Sequence, residues 1–423
     1  MRSTLAEGAN HVEGVAKLSG TDDRGGGWQR HARQTPILSG VPMSEPSESV
    51  SPRTTALHGV HEAAGAVLVD FAGWLMPLRY GSETAEHSAV REAAGLFDLS
   101  HMGEIRVAGP QAAAALDHAL VGHLSKVKVG RARYTMITDA SGGVRDDLIV
   151  YRLGEAEYLV VANAANAPVV ADLLVERVAG FDARVIDESA EYSLIAIQGP
   201  RAAEILAPLT DADLEQLRYF AVYDHTVAGH PVLLARTGYT GEDGFEIFVK
   251  PAEEAPAIWE ALVAEGSEHG LLPAGLSARD TLRMEAGMLL YGQELTAELT
   301  PFDAGLGRLV TFDKGDFVGR AALEEASRTA RPRRLIGLVS RGRRPLRKGQ
   351  SVLRDGETVG TITSGAPSPT LGRPIAMAYV DGELDTGTGT FTVDVRGRGE
   401  AVDVVDLPFY QRQKSESTSK ESK

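Results

Sequence analysis

An α+β architecture is what the sequence predicts: two repeated split β-α-β units followed by an all-β, barrel-like domain. Two observations carry it. The stretch Ile105 to Leu116, IRVAGPQAAAAL, is echoed by Ile195 to Leu206, IAIQGPRAAEIL, each a two-residue-period strand running into Gly-Pro and then a helix. From Leu335 onward, short β-branched segments are separated by Gly and Pro turns, the spacing of a small barrel or sandwich.

Taken in order, residues 1–53 are rich in Gly, Ser, Pro and charge with no sustained apolar period. They are expected to be disordered, and Met43 is a candidate start. The α+β region covers 54–330, with subdomains near 54–180 and 181–330; the β domain covers 331–414, and 415–423 is a second disordered stretch. A short helix is predicted over Ala56 to Gly65, a strand over Val67 to Phe71, and a helix from Glu83 to Ala94 that stops at Gly95. In both repeats the proline is expected at the first helical position, where its missing N–H costs nothing.

The first repeat continues with strands Ala132–Thr138, Asp147–Leu153 and Tyr158–Ala162 and the helix Ala167–Val178. The second continues with strands Tyr219–Val227, Val232–Ala235 and Gly244–Val249 and the helix Glu253–Glu265. This order is ferredoxin-like in each copy, and two such units side by side leave a cleft suited to a ligand. A helix capped by Ser277 is expected from Leu276 to Leu295, with Arg279 and Arg283 on one face. An ion pair with Asp280 or Glu285 is the expected role of Arg283. In the C-terminal part, strands are expected at Leu335–Val339, Thr358–Thr363, Ala376–Val380, Thr390–Val395 and Glu400–Val405.

Composition narrows the function. At 423 residues the chain suits two or three domains, and a net charge of −15 disfavours general nucleic-acid binding. With no cysteine, disulfides, thiolate nucleophiles and cysteine-ligated metals are excluded. The eleven histidines lack zincin spacing, so no metal site is expected. No run nears the ~20 apolar residues of a membrane span, and no secretory leader is apparent, so a cytoplasmic protein without a membrane partner is expected.

The chemistry centres on Ser141 to Tyr151, SGGVRDDLIVY, where a glycine turn delivers Asp146 and Asp147 into an apolar strand. Alternation sends one carboxylate to solvent and the other inward. Two readings are open: a turn-ending pair that satisfies backbone N–H groups, or an inward acid available for catalysis or ligand binding. Residues 328–348 carry nine Lys or Arg and no acid, either a solvated linker or a docking surface for an acidic partner.

Six separated motifs then make the chain resemble the aminomethyltransferase family, the T-proteins of the glycine cleavage system. They are Phe71–Trp74, Phe97–Met102, Gly142–Asp147, Gly238–Ile247, Ala278–Gly287 and Leu407–Tyr410. The resemblance covers about Thr54 to Gln413. It implies three domains around a central tetrahydrofolate cavity. It also implies transfer of a methylene from the aminomethyl-lipoyl arm of H-protein to tetrahydrofolate, releasing ammonia, with no metal or redox cofactor. By the same resemblance Asp147 matches the essential aspartate, whether as base or as folate-orienting group. Glu246 matches the carboxylate that holds the pterin edge, Tyr134 and Tyr239 match ring-lining positions, and Arg279 matches a family arginine. Arg412 is expected to pair with the folate tail carboxylates, and Tyr410, Met102 and Asn163 to line the pocket. Rival readings are an assembly factor of the same superfamily, opposed by Asp316 where those relatives carry cysteine, a folate-dependent demethylase, and a nucleic-acid binder using the arginine-rich stretch.

Overall fold

The computed structural model describes residues 51–329 and 333–412. The disorder expected for 1–50 and 415–423 lies outside the described residues. Order begins before Thr54: the Arg53 amide donates to Gly73, and its guanidinium lies 4.2 Å from the Trp74 ring centre.

The chain opens with α1 (His58–Ala63), β1 (Val67–Phe71), β2 (Trp74–Arg79), α2 (Glu83–Glu92) and β3 (Ala94–Asp98). Helix α2 stops short of Ala94 because Ala94 and Gly95 already belong to β3, all five of whose residues are buried. The first repeat supplies β4 (Gly103–Ala108), α3 (Ala112–Ala119), β5 (Arg131–Thr138), β6 (Val144–Gly154), β7 (Glu157–Ala162), α4 (Ala167–Val178) and β8 (Arg184–Asp187). The second supplies β9 (Ser193–Gln198), α5 (Ala202–Leu206), β10 (Val222–Val227), β11 (His230–Ala235), β12 (Gly244–Val249), α6 (Ala255–Gly266) and β13 (Leu271–Pro273).

The repeated Gly-Pro has a different cause from the one expected. Gln111 and Arg201 are the N-caps, so Pro110 and Pro200 precede the helices instead of opening them. The constraint lies in the glycines: Gly109 and Gly199 both take φ +140°. A Cβ on Gly109 would sit 2.7 Å from the Ala183 Cα, and one on Gly199 would sit 2.4 Å from the Ala93 carbonyl oxygen.

The sheets run β5-β6-β7-β4-β8 and β10-β11-β12-β9-β3-β13. Setting aside edge strands, both show the ferredoxin-like order, with one departure. The place that β8 fills beside β4 is filled beside β9 by β3, a strand from ahead of the first repeat. Strand β13 is displaced to the edge and runs parallel to β3.

Strand periodicity builds four layers. In β7, Tyr158, Val160 and Ala162 pack against α3 and α4, while Leu159 and Val161 face the second sheet. In β12, Phe245, Ile247 and Val249 pack on the α5 and α6 side, and Phe248 faces the first sheet. Helices therefore cover the outer faces, and the two sheets share one apolar layer. Each large side chain buried there contributes roughly 1.5–3 kcal/mol.

Beyond the second sheet, α7 (Leu276–Glu285) and α8 (Arg320–Arg328) lead to β14 (Arg333–Ser340), β15 (Ser351–Arg354), β16 (Glu357–Ser368), β17 (Arg373–Asp381), β18 (Phe391–Asp394) and β19 (Gly399–Val405). These six strands close a barrel in the order β14-β17-β16-β15-β18-β19. Helix α7 is half the expected length. It ends at Glu285 because Gly287 turns the chain at φ +65°, with Pro408 packed where a Cβ would project. Ser277 is not its cap; Gly275 holds that position, and the Ser277 hydroxyl donates to Glu83 at 3.2 Å.

Candidate active site

The turn ahead of β6 is fixed by Asp139, whose Oδ1 accepts from the amides of Ser141 at 2.9 Å and Gly143 at 3.1 Å. Gly142 takes φ +84°, and a Cβ on Gly143 would lie 2.0 Å from the Ala297 carbonyl oxygen. Only glycine fits at both positions. The turn thus sets the register that pairs Met136 with Asp147 and Ile137 with Asp146 across β5 and β6.

Contrary to the expected alternation, neither carboxylate is left to solvent. Asp146 is completely buried and Asp147 is half-buried. Asn163, just past β7, binds both: its Nδ2 donates to Asp146 Oδ1 at 2.8 Å and to Asp147 Oδ1 at 2.9 Å, and its amide donates to Asp146 Oδ2 at 3.0 Å. Asn166, the N-cap of α4, adds a 2.8 Å bond to Asp146 Oδ1. Tyr134 on β5 donates its hydroxyl to Asp147 Oδ2 at 2.9 Å. Burial pushes Asp146 up to about 7, the charge of Asp147 adds to the rise, and the three donors oppose it. Burial also raises Asp147, against the bonds from Tyr134 and Asn163.

Glu246 belongs to the other wall. On β12 it pairs with Ala235 and Ala196, whose small side chains leave room for a carboxylate on the inter-sheet face. Its Oε2 accepts from Thr237, at a very short distance, and from Tyr151 at 3.1 Å. Among the described residues no hydrogen bond reaches Oε1. Tyr151 stands four residues after Asp147, on the same face of β6, so one strand links the two acidic centres. In the sequence Tyr151 reads only as strand core, its spacing from Asp147 being the one signal of a further role, and Thr237 carries no signal.

Arg279 on α7 stacks over the Tyr239 ring, its guanidinium carbon 4.6 Å from the centroid. Tyr239 in turn donates its hydroxyl to the Leu289 carbonyl. Burial raises the Tyr239 phenol pKa; the charges of Arg283 and Arg279 oppose the rise and that of Asp147 adds to it. Burial lowers that of Arg279, whose charge is favoured by Tyr239 and Glu246. These mutual influences tie Asp147, Tyr239, Arg279 and Glu246 to one neighbourhood. His101 joins it, held neutral by burial and the Arg279 charge, which push its pKa down to about 4. Met102, packed in the inter-sheet layer, lies next to it in the chain.

Arg283, expected to pair with Asp280 or Glu285, binds Asp280 at 2.8 Å and Glu294 at 2.9 Å. Arg412 lies farther out, 42% exposed and 3.5 Å from Asp243. Tyr410 is covered by Arg91, 4.0 Å above its ring. Tyr219 links this outer group to Glu246, since its phenol feels the charges of Glu246, Arg412 and Asp243.

Comparison with known proteins matches the same span. Residues 57–314 match the GCVT N-terminal domain, and residues 333–411 match the glycine cleavage T-protein C-terminal barrel domain. The aminomethyltransferase of Streptomyces coelicolor is 64% identical over 367 residues, covering 86% of this chain and 98% of that protein. The Saccharopolyspora erythraea aminomethyltransferase is 62% identical over 364 residues, covering 86% and 99%. A crystal structure of glycine cleavage system aminomethyltransferase T from Bartonella henselae superposes with a TM-score of 0.79 at 36% identity, covering 85% of this chain and 99% of that one. With both domain models in order and relatives matched nearly end to end, the chain belongs to the glycine cleavage T-protein family of aminomethyltransferases.

Proposed function

We propose that the chain transfers the methylene of an aminomethyl group, carried on the lipoyl arm of an H-protein, to tetrahydrofolate. Ammonia, 5,10-methylenetetrahydrofolate and the dihydrolipoyl carrier are the products. The observation that carries the reading is the pairing of two acidic centres on facing sheets, Asp147 with Tyr134 and Asn163 on one, Glu246 with Thr237 and Tyr151 on the other.

The residues fit a folate. Glu246 has its Oε2 occupied by two hydroxyls, which leaves Oε1 for the N–H-rich edge of a pterin. Tyr239, capped by Arg279, offers a ring face, and Met102 an apolar wall. Arg412, 42% exposed, is the cation offered to a carboxylate tail, with Tyr410 two residues before it in the chain. Attack by a folate nitrogen passes through an iminium-like carbon, and the Asp147 carboxylate stabilises that positive charge. Asn163 and Tyr134 fix the carboxylate in place before the reaction, so little reorganisation is needed.

A cytoplasmic location fits the reading. No helix among the described residues is long and apolar enough to cross a membrane. The test is reconstitution with tetrahydrofolate and an H-protein loaded with the aminomethyl group, following ammonia. Release that requires both, and that a folate analogue blocked at the reacting nitrogens does not support, is the expected result. No release above the rate without enzyme would reject the reading.

A further inference from the structure

Asp146 takes no part in the chemistry described above, yet it is the more elaborately held of the two acids. Fully buried, it accepts three N–H bonds: 3.0 Å from the Asn163 amide, 2.8 Å from the Asn163 side chain and 2.8 Å from Asn166. The Asn163 side chain that it orients is the one that holds Asp147 at 2.9 Å. A lone structural aspartate at a helix start needs one such donor, and this one has three. We propose that Asp146 is a positioning residue: it clamps Asn163 so that one amide group grips both carboxylates, and the two acids titrate as a unit that must be ionised for turnover.

The inference rests on the proposed aminomethyl transfer and deepens it. Two carboxylates bridged by one NH2 repel each other, so gaining one proton relieves the pair and removes the charge that faces the reacting carbon. Burial and the neighbouring Asp147 charge bring Asp146 to about 7, within the working range. The other groups facing the pair act in both directions, and the hydroxyl that Tyr134 donates to Asp147 favours its charged form. Tyr134 from β5 and Tyr291 from beyond α7 are phenols that feel the Asp146 charge, and Glu294 adds its negative charge at Asp147. Arg145, next along β6, is the nearby cation and acts on Tyr291 as well. The expected consequence is a kcat that rises with pH through a limb near neutrality. The sign of a perturbation follows. Removing a donor from Asp146 weakens its charged form, raises the proton affinity of the pair and moves the limb to higher pH.

Asn166→Ala makes that change without touching Asp147 or substrate. In the reconstituted reaction, with both substrates saturating, the variant should shift the midpoint of the kcat–pH profile upward by about one unit, as expected for one lost bond to a charged group. The KM for tetrahydrofolate should stay within twofold. Asp146→Asn, which removes the charge and turns an NH2 toward at least one N–H donor, should lower kcat at least tenfold and flatten the limb. An Asn166→Ala profile with an unmoved midpoint overturns the proposal, as does an Asp146→Asn enzyme that keeps the wild-type limb. If Asp146→Asn fails to fold, Asn166→Ala alone decides. The two readings fail separately: absence of ammonia release by the wild-type enzyme rejects the reaction, whereas a wild-type reaction with an unmoved limb rejects only the role of Asp146.

Discussion

Asp147 and Glu246 sit in differently built surroundings, and their replacement should fail in different ways. Asp147→Asn keeps the shape that Tyr134 and Asn163 grip and removes the charge that the proposed reaction sets against a developing cation. A fall in kcat of about two orders of magnitude or more is expected, with tetrahydrofolate affinity within threefold. Ammonia release at saturation close to the wild-type rate would contradict this. Glu246→Gln exchanges a charged acceptor for a neutral one, so calorimetry should find the tetrahydrofolate Kd raised about tenfold while saturated turnover changes less. Glu104 is a different case. It is buried to 1%, and neither carboxyl oxygen has a hydrogen-bond partner among the described residues. Burial pushes its pKa well up, and the charges of Asp187 and Glu246 add to the rise. An unpartnered buried acid costs stability, so Glu104→Leu should stabilise the protein by about 1–3 kcal/mol. A lower Tm would mean that the carboxyl has a partner in solution. Of these three, Asp147 and Glu246 stand in motifs that are visible in the sequence. Glu104 was not, since its Met-Gly-Glu-Ile setting gives no sign of which face of β4 meets the second sheet.

Among the elements, the contact between α7 and the barrel depends on Glu285. Its carboxylate accepts from Thr370 Oγ1 at 2.7 Å and from Ser368, and it pairs with Arg91 at 2.9 Å and His87 at 3.1 Å. Burial alone would raise its pKa, but bonds from His87, Ser368 and Thr370 outweigh it and hold Glu285 at about 2. Its contribution to stability is therefore full above the ordinary carboxylate range and lost as pH falls toward about 2. Glu285→Gln should lower Tm at pH 7 and draw closer to the wild type as pH falls toward about 2; a gap as wide at pH 2.5 as at pH 7 would show that packing, not charge, supplies the contribution. Strands β6, β7 and β12 and helix α4 were legible because their apolar periods are long and their ends marked by Gly, Pro or Asn. Strands β3, β8, β13 and β15 escaped notice: each has only three to five residues, and β3 is buried on both faces, which leaves no alternation to read. The expected length of α7 overruns its end because Leu289 keeps the helical spacing while burying itself from the irregular segment after the turn.

Across the whole protein, the basic stretch that reads in the sequence as a linker or a docking surface runs into the barrel at β14. Arg341 is bound to Asp403 at 2.7 Å, and Arg344 lies 3.8 Å from Glu400, so acids of β19 offset part of the basic stretch that looked uncompensated in sequence. Reversal of Arg343 and Arg344 to Glu should still raise the KM for an acidic carrier severalfold at low salt and leave that for tetrahydrofolate unchanged. An unaltered carrier KM at low salt would assign docking to another face. The repeat was legible in Ile105–Leu116 and Ile195–Leu206, but the intrusion of β3 into the second sheet was not, because pairing between strands so distant leaves no mark in local pattern. That intrusion bears on the order in which the protein is made. Strand β3 leaves the ribosome before either repeat, yet its partner β9 and its neighbour β13 come much later. A fully buried strand must then wait, exposed, until residues 193–198 and 271–273 have been synthesised, and the nascent chain needs shielding over that interval. Separately expressed halves cut between the repeats would each lack a strand or carry an orphan one, so neither is an independently heritable module.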